Sequence, residues 1–200
     1  EILTRLVGSE MCIRDSVIKI ETPEGDVNRW TGAARSPGMS TGQLIKGRNK
    51  KSIIFNLKVP EARAPFEKLI KTADVFVHNI RPKAAARLRI DYDTISKLRP
   101  DIIYASATGF GEDGPYADKP AYDDLIQAAS GIASLYGRVT GSPKYAPSVM
   151  ADKTTGLFLS NYIVMALFHR ERTGEGQKLH VPMYESCLLY TSDAADEHTG

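Results

Sequence analysis

The chain has 200 residues, of which 42% are hydrophobic and 25% charged, and its net charge is +2. This composition predicts a soluble globular domain of ordinary size. The longest apolar segment, residues 156–168, is interrupted by Ser160 and Asn161 and falls short of the ~18 apolar residues that a membrane helix needs. We therefore expect no membrane span, and the weak positive charge does not favour a nucleic-acid partner.

The two ends of the chain differ from ordinary coding sequence. DNA that encodes residues 11–16, Met-Cys-Ile-Arg-Asp-Ser, has a reverse complement that encodes residues 187–192, Cys-Leu-Leu-Tyr-Thr-Ser, in a shifted frame. Such inverted ends resemble a sequencing-library adapter that has been translated on both sides; the alternative is two unrelated natural tails. We interpret residues 1–16 and 187–200 as adapter artefacts, which are excluded from fold reasoning, and residues 17–186 as a natural fragment.

Removing these ends changes two properties of the chain. Cys12 and Cys187 both fall in them, so the natural segment contains no cysteine, as is compatible with a cytoplasmic enzyme. The ends also hold six acidic residues and two arginines, which leaves a net charge of +6 for residues 17–186. A moderately basic domain suits a polyanionic ligand such as a nucleotide or coenzyme A.

Short β-branched runs alternate with helical patterns along the chain. They predict strands at residues 17–21, 52–57, 74–79, 102–107 and 177–183, and helices at residues 60–72, 84–88, 92–98, 122–136 and 152–172. Residues 27–51, rich in Gly, Ser, Thr and basic side chains, predict a long loop. This alternation predicts an α/β fold with a mainly parallel sheet and ligands at the carboxyl ends of its strands.

Residues 109–114, Gly-Phe-Gly-Glu-Asp-Gly, match the spacing of a dinucleotide-binding loop after a predicted strand. That motif also requires a helix to open on its last glycine. Pro115 follows here, and no apolar helical period begins. The pattern therefore favours a tight turn over a dinucleotide site.

Three cationic residues and one amide lie where predicted strands end or where the next helix turns back. Asn79 and Arg81 follow the third strand, Arg87 lies in the next helix, and Lys58 follows the second strand. Amide and guanidinium groups in such places can hold phosphate and adenine edges. Their spacing alone favours an ordinary solvated surface.

Asp152 begins the longest predicted helix and is the candidate for chemistry. Asp is a preferred helix N-cap, and the pattern alone favours that structural role. A catalytic role is compatible with it, because the positive end of a helix stabilises a carboxylate. Covalent attack by Asp requires the ionised form in a site that excludes water. No pair of histidines has metal-ligand spacing.

Five ordered motifs resemble the class III CoA-transferases, the family of formyl-CoA and carnitine CoA-transferases. The resemblance covers essentially all of residues 17–186, and the order of the motifs makes it more specific than any one of them. The motifs are Val-Ile-Lys-Ile-Glu at 17–21, Asn-Ile-Arg-Pro at 79–82, Gly-Phe-Gly-Glu-Asp-Gly-Pro-Tyr at 109–116, Ala-Asp-Lys-Thr-Thr-Gly at 151–156 and Arg-Thr-Gly-Glu-Gly-Gln at 172–177.

The resemblance implies a Rossmann-like, mainly parallel sheet with flanking helices, in which a second, smaller domain is missing from this fragment. It also implies an interlocked homodimer that moves coenzyme A between an acyl-CoA and a carboxylic acid. Asp152 matches the nucleophile of that family, which passes through an aspartyl intermediate. Coenzyme A is then a substrate and product, and no permanently bound cofactor or metal is expected.

The matched positions also imply a binding site for coenzyme A. This prediction replaces the solvated-surface interpretation of Lys58, Arg81 and Arg87. Thr22 departs from the formyl-CoA branch, where a basic residue follows the Ile-Glu pair. The predicted CoA-contacting residues are Phe55, Asn56, Leu57, Lys58, Asn79, Ile80, Arg81, Arg87, Tyr122 and Asp123.

Two other functions stay open. Related acyl-CoA racemases place a His-Asp pair where this chain has Tyr122 and Asp123, and tyrosine is a poor base at neutral pH. The second alternative is a CoA- or nucleotide-binding module without turnover. We further expect the 200-residue chain alone to be inactive and poorly stable, because the family's remaining strand and second domain lie outside it.

Overall fold

A computed structural model of the protein describes residues 16–196. Short 3₁₀ turns occupy Val27–Arg29 and Pro60–Ala62. The strands are β1 (Val17–Glu21), β2 (Lys50–Ile54), β3 (Val75–His78), β4 (Ile103–Ser106) and β5 (Gln177–His180). The helices are α1 (Thr41–Lys46), α2 (Arg63–Ile70), α3 (Pro82–Arg87), α4 (Tyr92–Leu98), α5 (Asp123–Ala129), α6 (Ile132–Thr140), α7 (Met150–Thr173) and α8 (Met183–Asp196).

All the paired strands are parallel and form two sheets. β1 pairs with β2, with Val17 opposite Lys50. β4 lies between β3 and β5, with Ile103 opposite both Val75 and Gln177. Parallel pairs need long crossover connections, which the helices supply. The predicted α/β fold with parallel strands and flanking helices is confirmed, although its strands form two sheets instead of one.

The three-stranded sheet is covered by helices on both faces. On one face, Tyr104 of β4 packs with Phe66 of α2 and Ile95 of α4. On the other face, Ala105 packs with Leu159 and Ile163 of α7. Adjacent residues of a strand point to opposite faces, so β4 contributes to both clusters and all four of its residues are buried. This layering fixes α7 against the sheet.

Several segments differ from the sequence predictions. The predicted strand 52–57 is β2, which ends at Ile54, and α8 begins at Met183, inside the predicted strand 177–183. The predicted loop 27–51 contains α1, because Ser40 caps that helix by accepting a hydrogen bond from the Gln43 N–H. The predicted helix 122–136 is divided into α5 and α6 by Gly131, whose φ of 87° is left-handed. Glycine adopts this conformation without the steric cost that a side chain brings.

An ion pair between a buried glutamate and a half-buried arginine stabilises the sheet of β1 and β2. Glu21 accepts hydrogen bonds from Arg29 Nε at 2.6 Å and from a second Arg29 nitrogen at 2.8 Å. Only 4% of Glu21 is exposed. The Arg29 guanidinium holds the pKa of Glu21 down at about 2, with further hydrogen bonds from Ser52 and the Asp26 N–H. The pair ties the end of β1 to the turn that follows it.

The last helix crosses the predicted artefact boundary at residue 187. Cys187 is buried in a third cluster with Ile126, Ile132, Ala151 and Met183. Burial raises the pKa of its thiol to about 11. The boundaries of the artefact and natural segments stay predictions.

Over residues 16–196, none of the helices has the length and apolar character that a bilayer crossing requires.

Candidate active site

A cleft of about 680 Å³ opens at the carboxyl ends of β3 and β4. Asn79 and Arg81 follow β3, Thr108 and Gly109 follow β4, and Asp152 enters from the start of α7. The first turn of α5 and the segment before α7 complete the wall. Parallel sheets bind ligands at this edge, so we call this cavity the cleft and treat it as the candidate active site.

Asp152 lies in the first turn of α7, but it is not the helix cap. The N-cap is Val149, which makes no side-chain capping hydrogen bond, and the helix begins at Met150. The prediction of Asp152 as N-cap is therefore wrong. Its side chain lines the cleft while the residue is only 5% exposed. The partial positive charge of the helix N-terminus favours a carboxylate in this place.

The missing cap is supplied by a distant carboxylate. The Asp152 backbone N–H donates to Oδ1 of Asp123 at 2.9 Å. The first N–H groups of a helix have no partner within the helix, so a carboxylate from α5 satisfies one of them. Asp123 thereby fixes the start of α7, and with it the backbone from which the Asp152 side chain projects.

Gln127 holds Asp123 in this position. It lies one turn after Asp123 on α5, where residues four apart share a helix face, and it is 1% exposed. Its Nε2 donates to Asp123 Oδ2 at 2.5 Å and to the Ser148 carbonyl at 3.2 Å. Its Oε1 accepts from the Ala146 N–H at 2.8 Å. One buried amide therefore connects α5 to the segment that leads into α7.

Cationic side chains form another part of the cleft wall. Arg81 donates to the Asp118 carbonyl at 2.7 Å and lines the cleft. Lys119 also lines the cleft, with its ammonium 3.9 Å from the centre of the Tyr116 ring. Lys83 pairs with the Asp118 carboxylate. The loop 116–121 is thus attached to the segment after β3, and it presents positive charge to a ligand.

The structure brings some of the predicted CoA-contacting residues together. Asn79, Arg81, Tyr122 and Asp123 line the cleft with Asp152. Leu57 and Ile80 instead pack against the hydrophobic cluster around Phe66. Arg87 is exposed in the last turn of α3. Phe55 and Asn56 are half-buried and Lys58 is exposed after β2; none of these three is among the cleft residues of the described chain.

Several residues of the site were missed by the sequence predictions. Gln127 carried a signal, because a polar residue four positions after Asp123 in an apolar helix pattern predicts a shared face. Thr108 carried no such signal: its hydroxyl donates to the Phe110 carbonyl at 2.9 Å and lies 2.7 Å from Nε2 of His180, 72 residues away.

Within residues 16–196, no three His, Cys, Asp or Glu side chains are grouped as a metal site requires.

The glycine-rich segment is a turn, as its pattern favours. Gly114 N–H donates to the Gly111 carbonyl at 3.4 Å, and the next helix, α5, begins only at Asp123. Gly109 lies in the cleft wall, and a Cβ there would stand 2.2 Å from Cβ of Ala121. Its lack of a side chain allows the loop to close against the end of β4.

The parallel sheet, the cleft at its carboxyl edge and the buried Asp152 define an α/β protein with a carboxylate-bearing ligand site. A sequence model of CoA-transferase family III matches residues 16–200. The chain therefore belongs to CoA-transferase family III, as its ordered motifs predict.

Similar proteins support this membership. The chain is 38% identical over 176 residues to the succinate–glutarate CoA-transferase of Agrobacterium fabrum, which covers 84% of this chain and 44% of that protein. It is 38% identical over 182 residues to the acetyl-CoA:oxalate CoA-transferase of Acetobacter aceti, covering 88% and 46%. A CaiB/BaiF family protein from Brucella suis has a similar structure, with a TM-score of 0.90 and 30% identity over 98% of this chain and 53% of that one. The chain spans about half the length of these proteins.

Proposed function

We propose that the full-length protein, meaning this chain continued to the length of its relatives, transfers coenzyme A from an acyl-CoA to a carboxylic acid. Asp152 is the nucleophile of this reaction. The observation that carries the proposal is the position of Asp152, a nearly fully buried carboxylate that lines the cleft in the first turn of a 24-residue helix. The family membership supplies the reaction class.

The reaction proceeds through two anhydrides and one enzyme thioester. A carboxylate oxygen of Asp152 attacks the thioester carbonyl, the C–S bond breaks, and the CoA thiolate departs. The product of this step is an acyl-aspartyl anhydride. The thiolate then attacks the aspartyl carbonyl, which releases the donor acid and forms aspartyl-CoA. The acceptor carboxylate attacks this thioester, its C–S bond breaks, and the CoA thiolate is released as an acceptor-aspartyl anhydride forms. The thiolate then attacks this anhydride at the acceptor carbonyl. Product acyl-CoA leaves and the Asp152 carboxylate is restored.

The environment of Asp152 supports this role. Burial limits the access of water that would hydrolyse an anhydride. The helix N-terminus stabilises the carboxylate that each cycle begins and ends with. Asp123 holds the backbone N–H of the same residue at 2.9 Å, so the nucleophile projects from a fixed position. Fixed geometry reduces the entropy that must be lost before attack.

Coenzyme A enters the cleft with its phosphates toward Arg81 and Lys119 in this proposal. Both are cationic lining residues, and guanidinium and ammonium groups are the usual protein partners of phosphate. The predicted contacts at residues 55–58 and at Arg87 extend the proposed site beyond the cleft. Binding energy gained along the long CoA moiety is available to the reacting thioester.

Activity of an Asp152→Ala variant of the full-length protein tests the proposal. We expect at least a 10³-fold loss of CoA transfer, because no other group takes the acyl chain. Asp93→Ala is the control, since Asp93 is likewise an acid in the first turn of a helix, α4, but it is exposed and is not among the cleft residues. The activity of this variant should match that of the wild type. Undiminished transfer by Asp152→Ala would refute the nucleophile.

The same assay distinguishes the other candidate functions. A racemase would exchange the α-proton of its substrate with deuterated water without any acceptor acid. A binding module would bind coenzyme A, but it would neither transfer it to an acid nor exchange the α-proton of an acyl-CoA. Succinate, glutarate and oxalate are the acceptor acids to test first, because they occur in the names of similar transferases.

A homodimer and a cytoplasmic location belong to the same proposal. α7 exposes Leu157, Val164, Met165 and Phe168, each at 60% or more. Apolar surface of this kind is usually covered in an assembly. Light scattering of the full-length protein should give twice the mass of one chain; a monomeric mass would refute the dimer.

A further inference from the structure

His78 is a buried residue that the proposed reaction does not use. It ends β3 and is 5% exposed. Its Nδ1 accepts a hydrogen bond from the Ile80 N–H at 3.0 Å. Its Nε2 lies 2.5 Å from the Tyr104 hydroxyl, which in turn donates to the Ile90 carbonyl at 3.1 Å. Both ring nitrogens are therefore engaged on opposite sides of the imidazole.

These partners determine the tautomer of His78. Nδ1 faces an N–H group, so it must offer its lone pair. The Tyr104 hydroxyl proton is directed to Ile90, so its oxygen accepts the proton of Nε2. Burial lowers the pKa of His78 to about 4, which keeps the ring neutral at neutral pH. A protonated Nδ1 would place two donors against each other.

The hydrogen bond from Ile80 spans the turn that carries two cleft residues. Asn79 and Arg81 line the cleft on either side of Ile80, whose own side chain packs into the core. Arg81 is also the N-cap of α3, in an extended conformation with φ −57° and ψ 146°. The imidazole thus fixes the backbone of the turn from beneath, while the side chains above it face the ligand.

We propose that His78 is a positioning residue for coenzyme A, acting through the acceptor Nδ1 that holds the Asn79–Ile80–Arg81 turn in its binding conformation. The inference rests on the proposed function, in which Asn79 and Arg81 contact coenzyme A. His78 itself touches neither the cleft nor the reacting atoms. Its loss should weaken binding of the CoA moiety and leave the chemical step at Asp152 intact.

Two isosteric variants of the full-length protein separate the two ring nitrogens. In His78→Asn, the amide oxygen takes the place of Nδ1 and can accept from Ile80. In His78→Gln, the longer amide reaches the Tyr104 side but offers no acceptor at the position of Nδ1. We expect His78→Gln to raise the KM for acyl-CoA about tenfold, the effect of one lost hydrogen bond, with kcat within about twofold. His78→Asn should restore most of the affinity.

Equal KM values in the wild type and His78→Gln, or equal losses in both variants, would overturn the inference. So would a loss confined to kcat. Nitrogen NMR of ¹⁵N-histidine-labelled wild-type protein provides a test that needs no variant: His78 should carry its proton on Nε2, and a proton on Nδ1 would overturn the inference. Failure of the wild type to bind coenzyme A would instead refute the proposed function, and the inference with it.

Discussion

Removal of the Asp123 carboxylate should destabilise the start of α7. Asp123→Ala leaves the Asp152 N–H without the acceptor that now lies at 2.9 Å. The residue that carries this N–H is 5% exposed, so water replaces the carboxylate only in part. Gln127 keeps its second acceptor, the Ser148 carbonyl at 3.2 Å, and adds little to the cost.

The magnitude follows from the capping role. Loss of a side-chain cap costs about 1 kcal/mol, and loss of a hydrogen bond to a charged group costs ~1.5–3 kcal/mol. Because Asp123 is half-buried at the cleft wall, we expect a loss of about 1–2 kcal/mol. Each kcal/mol lowers Tm by roughly 2–4 °C in a protein of 150–250 residues, and the shift should be smaller in the full-length protein, which is longer.

Asp123→Asn is the matched control for this effect. It keeps one oxygen that can accept from the Asp152 N–H, but it removes the negative charge and replaces the acceptor of Gln127 Nε2 with an NH₂ donor. Urea unfolding of the full-length protein should therefore rank the stability as wild type, then Asp123→Asn, then Asp123→Ala. Hydrogen exchange at the Asp152 amide should be fastest in the alanine variant. Equal stability of all three proteins would refute the capping role.

Three further predictions test other parts of the structure. The pKa of His78 is about 4 in the folded state, against an ordinary 6.5. The unfolded chain therefore binds more protons than the folded chain between pH 4 and 6.5. The free energy of unfolding should fall by up to about 3 kcal/mol as the pH drops from 6.5 to 4. Urea unfolding at pH 7 and 4.5 checks this prediction. An equal change of unfolding free energy with pH in His78→Asn would contradict it. Gly109→Ala should lower the stability measured by thermal unfolding by ~1–3 kcal/mol, since the new Cβ would stand 2.2 Å from Cβ of Ala121. Gly114→Ala is the control and should be neutral, because the nearest atom to its Cβ is 3.8 Å away. Equal effects of the two substitutions would refute the close approach at Gly109. The 200-residue chain alone should show no CoA transfer with any acid acceptor, and measurable turnover by the purified chain would prove this prediction wrong.

Local patterns predicted most of the elements and their order. The structure has β1 at Val17–Glu21 and α4 at Tyr92–Leu98, the bounds that the sequence predicts. Both have clear local signals, a β-branched run and a capped helix pattern. Asp91 caps α4 by accepting from the Thr94 N–H at 3.1 Å, so the helix start is encoded within four residues. Such elements need no distant partner to be recognised.

Contacts between distant residues were not predictable in this way. The carboxylate that caps α7 comes from Asp123, 29 residues before Asp152, and no local spacing reveals it. The prediction of Asp152 as its own helix cap failed for this reason. The pairing of His78 with Tyr104, 26 residues apart, is hidden likewise, because it depends on the adjacency of β3 and β4. Motifs placed Asp152 among candidate residues, but only packing shows what holds it.

Trapping of the covalent enzyme adduct tests whether Asp152 is the nucleophile. The full-length protein is incubated with acyl-CoA without acceptor, treated with hydroxylamine and digested, and the peptide containing Asp152 is analysed by mass spectrometry. We expect a hydroxamate on Asp152 that is absent when acyl-CoA is omitted, and no hydroxamate on the corresponding peptide of Asp152→Ala. An unmodified Asp152 in a protein that turns over acyl-CoA, or a hydroxamate on another carboxylate, would contradict it.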